Sequence, residues 1–149
     1  MNYWLMKSEP DEFSIDDLKR KKSEPWSGVR NYQARNYIRE MRAGDTVFFY
    51  HSSCAEPGIV GIAEVACAAY ADPTQFDPRS DYFDGASKRE APRWSLVEVK
   101  FKRKLKRIIT LTELKEHPRL HELALVRPGN RLSVLPVTKA QWDFILDLE

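Results

Sequence analysis

Residues 46–70 read "TVFFYHSSCAEPGIVGIAEVACAAY", two runs of aromatic, β-branched and small apolar residues joined by a Pro-Gly turn. Residues of this kind fit a pleated, half-buried surface, and the "CAEPG" turn between the runs predicts an antiparallel hairpin over 46–52 and 58–70. A hairpin in the middle of the chain commits the rest to a sheet. Successive side chains on a strand alternate, so Ile59, Gly61, Ala63 and Val65 are predicted to share one face.

The flanks supply the other elements. "YWLMKS" (3–8) has strand composition and is broken at Pro10, and Ser14 with Asp17 three residues later sets up a capping box for a short helix that ends at "KKSEP". From Asn31, the positions Ala34, Tyr37, Ile38 and Met41 recur at helical spacing, and Gly44 with Asp45 closes that second helix. "WSLVEVKFKRKL" (94–105) alternates Val97, Val99 and Phe101 against Glu98, Lys100 and Lys102, which is a strand with one wet face. Thr110 and Glu113 cap a short helix, Pro128-Gly129-Asn130 make a turn into a strand, and Thr138 with Gln141 caps a last helix that packs Trp142, Ile145 and Leu146. Strands in the middle with helices around them give an α+β domain on a mixed or closed sheet.

With 149 residues and no repeat or linker, one domain spanning 1–149 is expected. The 42% hydrophobic and 31% charged content fits a soluble globular chain, and no apolar run suits a membrane span, so a cytoplasmic monomer is the expected state. "MNYWLMKSEP" lacks the layout of a secretory signal. Cys54 and Cys67 fall in no CxxC or Cys/His spacing and are expected as reduced thiols. His117 and His121 are four apart but separated by Pro118, and Asp72, Asp77, Asp81 and Asp84 miss the calcium-loop pattern, so neither metal nor cofactor is expected. Adjacent residues on a strand point oppositely, so His51 cannot activate Ser52 there, and no catalytic constellation emerges near Ser53 or Cys54.

Two stretches remain. "KFKRKLKR" holds six cations in eight residues: Lys100, Lys102, Arg103, Lys104, Lys106 and Arg107. They read either as a solvated strand face or as a phosphate-tracking stripe extended by Lys88, Arg89 and Arg93. The net charge of only +2 makes any case for nucleic acid a local one. "WSGVRNYQARN" (26–36) puts Trp26 between a proline and Ser27-Gly28, and Asn31 at a helix N-cap. A core tryptophan with an ordinary cap accounts for this, and so does a stacking platform beside a helix end that favours polar or anionic ligands. The loop 71–93, rich in aspartate and proline and without a period, is of the kind that covers a site.

"YWLMKSEP", "WSGVRNYQARN", "GDTVFFYHS", "PGIVGIAEV", "LVRPGNRLSVLPV" and "QWDFI", in this order along essentially the whole chain, resemble the EVE domain family of the PUA-like superfold. The resemblance implies a PUA-like mixed β pseudo-barrel of about five strands flanked by short helices, similar to YTH-type readers, with a pocket for one nucleobase. It implies a non-enzymatic domain that reads a modified base in DNA or RNA, modified cytosine in DNA being favoured. Carried onto this chain, the pocket draws on Lys7, Ser8, Trp26, Ser27, Gly28, Asn31 and Tyr32, completed by Tyr50 or Ser52. Trp26 is then the stacking residue, and Asn31 and Ser8 read the base edge. The alternatives are a PUA-like RNA-binding module indifferent to modification, and an enzyme acting on a small nucleotide-like molecule.

Overall fold

The computed structural model describes residues Met1–Glu149. Strand β1 (Tyr3–Ser8) leads to helix α1 (Ile15–Lys21), strand β2 (Ser23–Pro25), helix α2 (Tyr32–Glu40), and the hairpin of β3 (Thr46–His51) and β4 (Gly58–Val65). The short strands β5 (Tyr70–Ala71) and β6 (Ser95–Leu96) bracket a long loop. Strand β7 (Glu98–Thr110), helix α3 (Leu111–Lys115), strand β8 (Val134–Val137) and helix α4 (Lys139–Leu146) follow. Six strands form one curled sheet in the order β2-β7-β4-β3-β1-β8, and β5 pairs with β6 alone. β1 runs parallel to β3 and every other neighbouring pair is antiparallel, which is the expected α+β mixed sheet with short helices.

Both faces of the sheet are covered, and this explains why β3 is apolar at nearly every position. Trp4, Met6, Val47 and Phe49 point to one core cluster, which α1 and α2 close with Ile15, Leu18, Ala34 and Ile38. Leu5, Phe48 and Tyr50 point to the other, closed by Leu114 of α3 and by Trp142 and Ile145 of α4. Phe48 stacks on Trp142 at 3.7 Å between ring centroids. Both expected capping boxes are present, at Ser14 with Asp17 and at Thr138 with Gln141. Buried Asp45 ties the start of β1 to the end of α2, accepting hydrogen bonds from Trp4 Nε1, Asn2 N and Arg42 N.

β4 departs from simple alternation. Its pairing with β7 shifts register between Ile59 and Gly61 and again between Ile62 and Ala63. Against β3, Phe49 pairs with Gly61 and Tyr50 with Ile59, so Val60 is one extra residue on β4; that single insertion inverts the phase, and Ile59 lies in the second cluster while Ala63 and Val65 lie in the first. The expected common face of Ile59, Gly61, Ala63 and Val65 is therefore divided. The second run also stops at Val65 rather than continuing to Tyr70, which belongs to the β5–β6 ribbon. β2 has no helical or strand period of its own and exists by pairing Ser23–Pro25 with β7. As the sheet's edge, β2 tolerates Pro25, which has no N–H to donate. No helix is long and apolar enough to cross a membrane.

Candidate nucleic-acid interface

A cavity of about 540 Å³ opens where β1 ends, and it is lined by the chain from Lys7 to Glu9, by Glu12 and Phe13, by the chain from Glu24 to Arg30, by Ser52 and Ser53, and by Tyr82, Arg131 and Ser133. Its floor begins with Trp26, whose N–H donates to Val97 O at 2.9 Å and so continues the β2 pairing inward. The indole packs edge-on against Phe49 at 5.5 Å and Phe13 at 6.3 Å between centroids. Trp26 is 9% exposed and belongs to the first core cluster, so of the two readings open for it the core one describes most of the indole, and the expected stacking platform is reduced to one edge at the cavity.

Gly28 follows with φ +88°, a conformation that side chains disfavour. A Cβ at this position would sit 2.7 Å from the Tyr82 ring, so the ring rests directly on the glycine backbone. Tyr82 comes from the long loop and is 40% exposed, which leaves part of its ring for the cavity.

The loop is latched to this wall by one carboxylate. Asp72, with no exposed surface, accepts from Gly28 N at 2.8 Å, Arg30 Nη1 at 3.1 Å, Thr74 N at 2.8 Å and Thr74 Oγ1 at 2.6 Å. Burial pushes its carboxyl pKa up, but the hydrogen bonds from Thr74, Gly28 and Arg30 outweigh burial and hold it below the ordinary 3.8. Arg30 also donates to Tyr82 O at 2.8 Å and lies over the rings of Tyr82 and Trp94, at 5.6 and 5.4 Å from their centroids. Trp94 stacks on Tyr32 at 4.8 Å, and Arg35 lies over Tyr32 at 4.7 Å. The flat and hydrogen-bonding side chains crowded into 26–36 thus form a ladder that fixes the loop, and the end of the ladder holds Tyr82.

The structure brings together Lys7, Ser8, Trp26, Ser27, Gly28 and Ser52, and it leaves three expected residues outside the lining. Asn31 caps α2, its Oδ1 accepting from Ala34 N at 2.9 Å, and it faces a neighbouring groove. Tyr32 is 52% exposed and occupied with Trp94. Tyr50 is buried in the second cluster, on the opposite sheet face from Phe49, and burial raises its pKa to about 12. Ser8 Oγ donates to Phe13 O at 2.6 Å, which leaves it as an acceptor toward the cavity. Lys7 has no carboxylate partner, and burial lowers its pKa from 10.5. Sequence reasoning passed over Phe13, Arg30, Tyr82 and Arg131. Arg30 lies within the conspicuous 26–36 stretch, whereas only the long loop's aromatic residues signalled Tyr82.

The basic run on β7 is differently placed. Glu64 pairs with Lys100 at 2.8 Å and Lys102 at 3.6 Å, Asp16 pairs with Lys104 at 2.8 Å, Glu113 pairs with Arg107 at 2.7 Å, and Glu149 pairs with Arg103. Five of the six cations are thus met by carboxylates of the same protein, and Lys106 alone keeps an uncommitted ammonium. Such exposed pairs contribute little stability, but they lower the positive potential of the strand. No three His, Cys, Asp or Glu side chains gather at metal-binding distance. His51 Nε2 accepts from Ile15 N at 3.1 Å, which commits it to the start of α1.

The curled mixed sheet, parallel only between β1 and β3, with a cavity at its strand ends lined by Trp26 and Tyr82, defines the class of domain. The EVE domain model matches residues 2–148, and the chain belongs to the EVE domain family. It is 46% identical over 166 residues to mouse Thymocyte nuclear protein 1, a match covering 99% of this chain and 74% of that protein. Among solved structures it resembles a Pseudomonas putida protein with TM-score 0.96 and 53% identity, covering 98% of both chains. It also resembles the human THYN1 protein in complex with 5-methylcytosine containing DNA, with TM-score 0.93 and 43% identity, covering 99% of this chain and 97% of that one.

Proposed function

We propose that this domain is a non-enzymatic reader of a modified nucleobase, with modified cytosine in DNA the favoured target and no cofactor required. The observation that carries the reading is the cavity wall: the Tyr82 ring is held flat on Gly28 by Arg30, next to the edge of Trp26. A volume of about 540 Å³ is within the usual range for small-ligand sites. A base extruded from its stack presents a π face and a polar edge, and here its face stacks on Tyr82 while the exposed edge of Trp26 bounds the stack. Ser8 accepts from the exocyclic amino group of cytosine, while Lys7 and Arg131, both without a carboxylate partner, serve base oxygens or phosphate. The added methyl group packs against Phe13. The human relative crystallised with 5-methylcytosine containing DNA supports the same target.

Catalysis is disfavoured because His51, the imidazole nearest Ser52 in sequence, is already engaged by Ile15 N. Titrating the intrinsic tryptophan fluorescence with paired oligonucleotides, one carrying 5-methylcytosine and one cytosine, tests the proposal. Tighter binding of the modified strand with no chemical product is expected. Equal binding of both strands points to a modification-independent module, and a turned-over base points to an enzyme.

A further inference from the structure

A second cavity of about 570 Å³ adjoins the base pocket. The chain passes between the two twice: Arg30 lines the pocket and Asn31 the groove, and Ser133 lines the pocket and Asn130 the groove. Arg131 lines both. Four of the groove's polar side chains share one bias, Gln33 Oε1 being its uncommitted amide acceptor. Asn31 Oδ1 accepts from Ala34 N at 2.9 Å, Asn130 Oδ1 from Leu132 N at 3.2 Å, and Gln141 Oε1 from Thr138 N at 2.9 Å. In each amide the oxygen is consumed by a backbone N–H, so the NH₂ group is turned outward with no acceptor in the protein. Tyr37 Oη accepts from Gln33 Nε2 at 3.2 Å, which leaves its own O–H to donate. The groove's one acidic residue, Glu122, is paired with Arg127 at 3.2 Å.

A cavity that offers donors and an unpaired guanidinium suits a ligand made of acceptors. The first turns of α2 and α4, capped by Asn31 and Thr138, meet at this groove and add the same sign of potential. The geometry points to the DNA phosphodiester backbone next to the extruded base as the occupant, with Arg131 bridging the phosphate between pocket and groove; this rests on the base-reading proposal above. Phosphate and sugar oxygens are acceptors, and contacts to them fix register without carrying sequence information. The groove therefore anchors the strand, and the pocket decides which base is accepted.

The test uses Asn130→Asp with Gln141→Glu. Each substitution keeps the oxygen that the backbone N–H needs and replaces the outward NH₂ by an anionic oxygen. Binding is measured for a short DNA carrying 5-methylcytosine, for the free 5-methylcytosine nucleoside, and for the same DNA with neutral methylphosphonate linkages beside the modified base. The double variant is expected to lose about tenfold or more in affinity for the DNA, as two hydrogen bonds to charged oxygen become repulsive. It is expected to bind the nucleoside as the parent does, and not to be weakened by the neutral linkages that weaken the parent, since these remove the repulsion it has gained. Unchanged DNA affinity, or a variant still weakened by the neutral linkages, overturns the groove assignment. A parent with no preference for the modified base whose DNA affinity still falls in the variant supports the groove and removes the base reading instead. Should the double variant melt early, Arg131→Ala, whose guanidinium has no partner in the fold, is read by the same loss of sensitivity to neutral linkages, and retained sensitivity overturns the assignment.

Discussion

Two regions of this protein are rich in cations, and they differ in what the fold has done with them. On β7, six cations crowd into eight residues, yet carboxylates on β4, α1, α3 and the final residue meet five of them. Around the cavity there are fewer, and Glu9 and Glu12 line it too, but Lys7 and Arg131 have no carboxylate within ion-pair distance, and Arg30 is spent on the loop latch. Cation density along a chain is thus a poor measure of the charge available to a ligand. The arrangement of counter-charges, which depends on residues distant in sequence, decides it.

The largest effect expected on either side of this comparison is one of stability. Trp26→Ala removes a side chain packed between Phe13 and Phe49 and should destabilise the protein by about 3–5 kcal/mol. Thermal or urea denaturation followed by circular dichroism measures it, and a loss below about 1 kcal/mol would return the indole to the role of a free-standing platform.

The contrast in available charge comes next. Replacing Lys7 and Arg131 together by Ala should reduce the log–log salt slope of oligonucleotide binding by about 0.7–0.9 for each phosphate no longer neutralised. Neutralising Lys100, Lys102, Arg103, Lys104 and Arg107 should leave that slope nearly unchanged, because those cations already face Glu64, Glu149, Asp16 and Glu113. The reverse ranking makes the strand, not the pocket rim, the phosphate surface.

The smallest effect concerns His51, which sits where the two regions meet, beside Ser52 and near the Asp16–Lys104 pair. Burial lowers its pKa below 6.5, Asp16 opposes that shift, and Lys104 reinforces it. The neutral ring accepts the Ile15 N–H, so the folded state resists protonation while the unfolded chain accepts a proton from about pH 6.5 downward. Its contribution is therefore complete above about pH 6.5 and is lost as pH falls through the lowered folded value. Melting temperature measured against pH should decline less steeply in that window for His51→Gln, whose oxygen can still accept the bond.

Much of the frame was legible locally. Ser14 with Asp17, Asn31, Thr110, and Thr138 with Gln141 announce their helices because a cap is written within four residues. β1 and the β3–β4 hairpin are legible because their composition suits a sheet covered on both faces. β2 was not, since three residues of mixed character become a strand only against β7. The consequence reached the site: without β2, Trp26 read as a loop residue. Asn31 was legible as a cap but not as a residue of the neighbouring groove. Tyr82 was legible only as part of a covering loop, because its position depends on Asp72 reaching Gly28 across 44 residues.

The central claim is that the pocket reads its base against Tyr82, and binding of Tyr82→Ala to matched 5-methylcytosine and cytosine oligonucleotides tests it most directly. The ring is 40% exposed, and without it Arg30 keeps its hydrogen bond to the Tyr82 carbonyl and its contact with Asp72, so the variant should keep its fold. Stacking on one base is worth about 1–3 kcal/mol whether or not the base is methylated, so affinity for the modified strand should fall by roughly five- to 150-fold and that for the unmodified strand by a similar factor. A folded Tyr82→Ala protein that binds the modified strand as tightly as the parent contradicts the account.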